Sequence, residues 1–157
     1  IYKKNVLDEI GLFDELHFAY LEDLDIGYRA KIYGYRNYFA PDAVVHHAGS
    51  ASSGSRHNAF KVDLSSKNSV YVIYKNMPLL QQLINLPFFI IGYLIKWLFF
   101  LRKGLGKNYA CGVLDGIRRN WSNEAGKHKI KFKWSNLFHY LCIQLELWKG
   151  LFLRIYY

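Results

Sequence analysis

The chain has 157 residues, 52% hydrophobic and 21% charged, which excludes a disordered tail and leaves room for one ordinary domain rather than two. Its net charge of +9 is unevenly spread: residues 1–60 hold 6 Lys and Arg against 8 Asp and Glu, and residues 61–157 hold 15 against 4. An acidic first third joined to a basic remainder, with 13 Tyr, 11 Phe and 4 Trp overall, points to two regions with different surroundings.

Elements read in chain order give an α/β pattern first. A turn at Gly11-Leu12-Phe13 leads to a helix over 22–33, with Leu21, Leu24, Tyr28 and Ile32 on one stripe. Glu22, Asp23 and Asp25 crowd its first turn, where the helix dipole favours anions, and Asp25 and Arg29 stand four apart. Gly34 is the expected cap. Residues 35–40 read as a strand, Pro41-Asp42 as a turn, and residues 43–47 as a second strand. Residues 48–56 form a small-residue loop, and a helix resumes over 63–76.

The remainder alternates apolar stretches with basic punctuation. Between Lys75 and Lys96 lie twenty uncharged residues, the length of a bilayer span, with Pro87 expected to start a helix. Three readings stay open there: an interfacial or re-entrant helix, a true span, and the buried helix of a soluble core. Residues 134–157 carry Leu137, Leu141, Leu145 and Trp148 near helical spacing. Cys111 and Cys142 lack CxxC or Cys/His spacing, which excludes a disulfide scaffold and a structural zinc knuckle. The chain opens on Ile1 within sequence that reads as structured, and a piece of a longer protein is expected.

Three groups are candidates for chemistry. Glu22, Asp23 and Asp25 are either an acidic helix start or a site in which one carboxylate, its pKa raised, serves as general base. His46 and His47 would face opposite sides of a strand, so one at most points into a site. Ser50, Ser52, Ser53, Ser55 and Arg56 suit a diphosphate cradle or a plain connector.

In order along the chain, these residues resemble the C-terminal half of the catalytic domain of family 2 glycosyltransferases, in the rhamnosyltransferase-like bacterial polysaccharide branch. The resemblance rests on Gly11-Leu12-Phe13-Asp14-Glu15, then Tyr20-Leu21-Glu22-Asp23-Leu24-Asp25 with Arg29, then Gly34-Tyr35. Pro41-Asp42-Ala43 and His47-Ala48-Gly49-Ser50 continue it, and Asn68, Lys75, Asn76 and Pro78 match a later stretch, with Lys67 where Arg is usual. It implies a GT-A fold over residues 1–78, the acceptor side of the catalytic domain, followed by a basic, aromatic, mainly helical, membrane-prone region over 79–157.

The same resemblance implies inverting transfer from a nucleotide-sugar donor to a glycan or polyprenyl-linked acceptor. Asp23 aligns with the catalytic base and Glu22 with the acceptor pocket, while Asp25 with Arg29 locks the helix start. His47, with His46 as the alternative, aligns with a ligand to Mg²⁺ or Mn²⁺, and Ser50 and Arg56 meet the diphosphate. The donor-binding half would precede Ile1, so no transfer is expected from these residues alone. The expected surroundings are an anionic membrane surface at the cytoplasmic face of the plasma membrane, with Trp97, Trp121, Trp134 and Trp148 at the interface and no nucleic acid as partner. Rival readings are a nucleic-acid binder, a metal hydrolase using His46, His47 and His57, and a structural membrane anchor.

Overall fold

The structure, a computed structural model, describes residues 1–46 and 57–156, with side chains for all of these except residues 152 and 154–156. The expected α/β fold is not what forms: helix makes up 73% of the structure, and the described residues contain no strand or sheet. A strand needs a neighbour for its N–H and C=O groups, and residues 35–40 and 43–46 find none. Tyr38, Phe39, Val44 and Val45 are 76–89% exposed, so the apolar residues that made this stretch look like strands pack against nothing. Pro41-Asp42 does make a turn, closed by the Ala43 N–H donating to the Ala40 carbonyl at 3.1 Å.

Seven helices are described: α1 (Lys4–Ile10), α2 (Glu22–Ile32), α3 (Ala59–Asn76), α4 (Leu79–Arg102), α5 (Gly106–Asn120), α6 (Asn123–His128) and α7 (Leu137–Tyr156). Helix α2 stops where its sequence says it should. Gly34 turns left-handed at φ 83°, and the Tyr35 N–H reaches back to the Ala30 carbonyl at 2.9 Å. The buried face of α2 differs from the expected stripe: Ile26, Tyr28, Ala30 and Ile32 are buried while Leu24 is 53% exposed. Helix α3 begins four residues earlier than expected because the Asn58 side chain caps it, accepting from the Lys61 N–H at 2.9 Å.

Two apolar clusters form around α2, and the first ties the early part of the chain to its last helix. Tyr28 and Ile32 of α2 meet Met77 and, from α7, Tyr140 and Ile143. Ile26 and Ala30 meet Ile10, with Val6, Leu7, Tyr33 and Tyr35 against them. Helices α3 and α5 cross closely because α5 presents glycines. A Cβ on Gly112 would lie 2.0 Å from Ser66 Oγ and 2.3 Å from the Asp63 carbonyl oxygen.

Pro87 does not start a helix: it lies inside α4, which Pro78 caps. A proline there leaves the Leu83 carbonyl without its helical donor. Along one narrow line α4 is polar. Asn85 and Gln144 of α7 exchange hydrogen bonds at 2.7 and 2.9 Å, the Trp148 indole N–H adds a third at 3.2 Å, and the Tyr28 hydroxyl donates to Gln81 at 2.7 Å. Phe89, Tyr93 and Phe100 pack inward, and the outer face is apolar and open: Leu83, Leu86, Ile90, Ile91, Leu94, Ile95 and Leu98 are 45–61% exposed. By length and hydropathy α4 can cross a membrane.

Candidate functional site

The three carboxylates singled out at the start of α2 fall into two environments, and a fourth, Asp14, joins Asp25 in the buried one. Asp25 is fully buried and serves as a hub. Its Oδ2 accepts from Arg29 Nε at 3.0 Å, Arg29 Nη2 at 2.8 Å and Lys75 Nζ at 2.9 Å, and its Oδ1 accepts from Asn76 Nδ2 at 2.8 Å. Lys75, from the end of α3, bridges to Asp14 Oδ2 at 2.8 Å. Asp14 also accepts from the Tyr71 hydroxyl at 2.8 Å and the Leu16 N–H at 3.0 Å, with His128 Nδ1 of α6 at 3.2 Å. The remaining Arg29 donors reach the carbonyls of Ile10, Gly11 and Leu12 at 2.6–2.8 Å. Two buried carboxylates therefore face two buried cations, with nearly every oxygen and proton used, the condition under which buried charge is tolerable.

The electrostatics follow from these contacts. Burial by itself would raise the Asp14 carboxyl; Lys75 and the Leu16 and Tyr71 donors outweigh it and bring the pKa down from 3.8 to about 2. Burial likewise opposes ionisation of Asp25, and Lys75, Asn76 and Arg29 overcome it, so its pKa lies below the ordinary value. The raised carboxylate pKa expected from crowding is thus not at Asp25, because cations rather than carboxylates surround it. His17 is 1% exposed, with neither ring nitrogen hydrogen-bonded; burial pushes its pKa below 6.5 even though Asp25 lies 4.0 Å away.

Asp23 stands outside this network. It is exposed, takes the Leu24 N–H at 2.8 Å, and lines a cleft of about 410 Å³ between α2 and α7 with Tyr28, Lys31, Asn37 and Glu146. Lys31 and Glu146 form an ion pair along that cleft. Glu22 is half-buried, and its Oε2 is shielded from solvent with no hydrogen-bond donor.

The backbone that leads into these carboxylates is strained. Phe18, Tyr20 and Leu21, at φ 59°, 70° and 69°, are the non-glycine residues with positive φ among those described, a conformation costing of order 1–3 kcal/mol per residue. Buried Asn68 of α3 holds it in place: Nδ2 donates to the carbonyls of His17, Ala19 and Tyr20 at 2.7, 2.8 and 3.0 Å. Arg119 of α5 fixes Asn68 in turn, donating to its Oδ1 at 3.0 Å and to the Leu16 carbonyl at 2.8 Å.

His47, Ser50 and Arg56 lie outside the described residues. His46 is exposed and joins no cluster of metal-binding side chains among the described residues. The carboxylates that are brought together do not suit a divalent cation, since Asp14 and Asp25 already hold Lys75 and Arg29.

Asp14, Asn68, Lys75 and Asn76 stood within the quoted motifs, but nothing in the sequence assigned them to one network, because the partners are about fifty residues apart. Arg119 stands in the sequence only as one of the basic residues between apolar stretches, and its guanidinium turns inward to Asn68 and the Leu16 carbonyl. No family model, curated protein or solved structure matches this chain.

Proposed function

We propose that this chain is the acceptor-side, membrane-contacting part of an inverting glycosyltransferase that moves a sugar from a nucleotide-sugar donor to a glycan or polyprenyl-linked acceptor of a bacterial surface polysaccharide. The observation that carries the reading is the division of labour at the start of α2. Asp25 is buried and neutralised by Lys75 and Arg29, whereas Asp23 is exposed beside a cleft. A general base must reach a substrate hydroxyl, so Asp23 is the carboxylate for that work. It takes the proton of the acceptor hydroxyl as that oxygen attacks the anomeric carbon, and Glu22 borders the acceptor. Asp25 and Arg29 tie α2 to the backbone of residues 10–12, and Asn68 holds the turn that presents both. The donor is bound by parts of the protein outside this chain. Mg²⁺ or Mn²⁺, supplying charge neutralisation for the departing diphosphate, would take His47 as its ligand in this reading, with Ser50 and Arg56 on the diphosphate.

The membrane part of the proposal is supported by α4, whose open apolar face adjoins basic residues. Lys96, Arg102, Lys103 and Lys107 cluster around the α4–α5 turn, and Trp121 and Trp134 are 86% and 80% exposed. A peripheral attachment or one span at the cytoplasmic face of the plasma membrane would bring Asp23 to a lipid-linked acceptor.

The test is transfer of labelled sugar by the native protein, with its flanking sequence, from a panel of nucleotide sugars to lipid-extracted acceptors. Transfer is expected with at least one donor; no transfer from any donor overturns the reading. Co-sedimentation with phosphatidylglycerol vesicles, weakened in phosphatidylcholine and at high salt, is expected in parallel. Equal binding to duplex DNA at matched salt would favour the nucleic-acid alternative.

A further inference from the structure

Helix α4 is the middle of a broad apolar face. On one side its Leu86, Ile90 and Leu94 border a groove of about 620 Å³ shared with Val113, Leu114 and Ile117 of α5. On the other, its Leu80 and Ile84 share a cleft of about 290 Å³ with Leu137 and Leu141 of α7. Almost none of the apolar stretch of α4 is buried inside the chain, and Leu114, Ile117, Leu141 and Leu145 beside it are 43–64% exposed. Exposed apolar surface of this breadth marks a contact with a membrane or another protein.

Charge separates those two partners. Residues 76–114 and 125–145, which carry the α4 and α7 parts of this face, contain no Asp or Glu. Exposed cations stand at both ends of α4. Arg102, Lys103 and Lys107 follow its C-terminal end, and Lys131 and Lys133 flank Phe132, which lines the cleft with Leu80 near its N-terminal end. Two copies laid together through α4, parallel or antiparallel, would set cations against cations. An anionic lipid surface meets both ends with opposite charge.

The neighbours of α4 decide how the lipid is met. Residues 109–117 of α5 share one groove with residues 86–97, the central turns of α4. Hydrogen bonds tie Asn85 to Gln144 and Trp148 of α7, and Tyr93 to Ser69 of α3 at 3.1 Å. An α4 that crossed a bilayer would therefore draw α5 and α7 into hydrocarbon. The Asp115–Arg118 pair of α5 has side chains 43% and 77% exposed, and Glu146 of α7 pairs with Lys31 at the surface. Lipid offers such charges no water. An α4 lying in the interface keeps them wet, since Glu146 is on the far side of α7 from Leu137 and Leu141. We infer that α4 lies in the plane of one leaflet of an anionic membrane, flanked by the apolar edges of α5 and α7, and does not cross it. The inference rests on the membrane part of the reading above and is independent of its transferase chemistry.

The experiment places nitroxide labels on the native protein, its own cysteines replaced by alanine, bound to phosphatidylglycerol-rich vesicles. Leu83→Cys, Ile91→Cys, Leu94→Cys and Leu101→Cys sample the outer face of α4, and Leu141→Cys, Leu145→Cys and Glu146→Cys sample α7. Power saturation with oxygen and a water-soluble nickel complex reads their depth. All four α4 labels and those at 141 and 145 are expected at one depth, about 5–10 Å into the interface, with the label at 146 in water. A depth that peaks at 91 and 94, with 83 and 101 near opposite surfaces, overturns the inference in favour of a span. Labels that stay in water, or that are covered without vesicles in a dimer seen by sedimentation, overturn it in favour of a solvent-facing surface or a second copy. In the otherwise unmodified protein, Arg102→Gln with Lys107→Gln, and separately Lys131→Gln with Lys133→Gln, each weaken vesicle binding about thirtyfold, because both ends meet the same leaflet. An effect from only one pair contradicts that. An in-plane profile without sugar transfer removes the transferase and keeps this inference, and transfer with a spanning profile does the reverse.

Discussion

Asp25→Asn tests the buried network directly. The substitution keeps the size of the side chain and removes one negative charge from a site holding Arg29 at 2% and Lys75 at 4% exposure. Arg29 loses its charged partner and keeps the backbone carbonyls and at most a neutral amide oxygen, and Lys75 retains Asp14 at 2.8 Å, so two buried cations then share one carboxylate. Breaking a buried pair in this way costs about 3–5 kcal/mol, against a total stability of about 5–15 kcal/mol for an ordinary domain. In urea unfolding followed by far-ultraviolet circular dichroism, a loss of about 4 kcal/mol moves the midpoint down by about 2 M at a slope of about 2 kcal/mol/M. Asp23→Asn, at an exposed position, changes stability by no more than about 0.5 kcal/mol. The reasoning is refuted if Asp25→Asn costs less than about 1 kcal/mol, or if the two substitutions cost the same.

Acid should destabilise the fold in two stages. Burial disfavours protonated His17, so its contribution is full above pH 6.5 and declines below it. Asp14, lowered from 3.8 to about 2, contributes on the order of 2 kcal/mol that is present above pH 4 and lost as pH falls toward 2; Asp25 acts in the same sense. Melting temperature measured from pH 7 to pH 3 should fall throughout, and a rise anywhere in that range contradicts the assignment. Gly112→Ala forces a methyl against Ser66 and the Asp63 carbonyl and should cost about 2–3 kcal/mol, whereas Gly126→Ala in α6 meets open space and should be neutral or slightly stabilising; thermal melts of the two variants decide it.

What the sequence revealed were features whose causes are local. Helix α2 was readable because its acidic first turn, its Asp25–Arg29 spacing and Gly34 all act within a dozen residues, and α7 because Leu137, Leu141 and Leu145 repeat at helical spacing. The strands failed for the complementary reason: apolar residues at 35–46 supply β propensity, but a ladder depends on a partner that local sequence does not specify. Helix α5 was hidden by its three glycines, which weaken helix propensity; Gly112 and Gly116 are kept by the close crossing with α3 and Gly106 by its contact with Leu101 of α4. For the candidate site, the carboxylates were visible and their division was not. Which of Asp23 and Asp25 is buried depends on Lys75 and Asn76, which arrive from the far end of α3.

The most direct measurement is the turnover of Asp23→Asn in the native protein, at a temperature where its circular dichroism spectrum and unfolding midpoint match wild type. If Asp23 is the base, kcat falls by about a thousandfold, within the 10²–10⁴ that general-base catalysis supplies, while donor binding persists. A kcat within a few fold of wild type would contradict the division of roles between Asp23 and Asp25 on which the account stands.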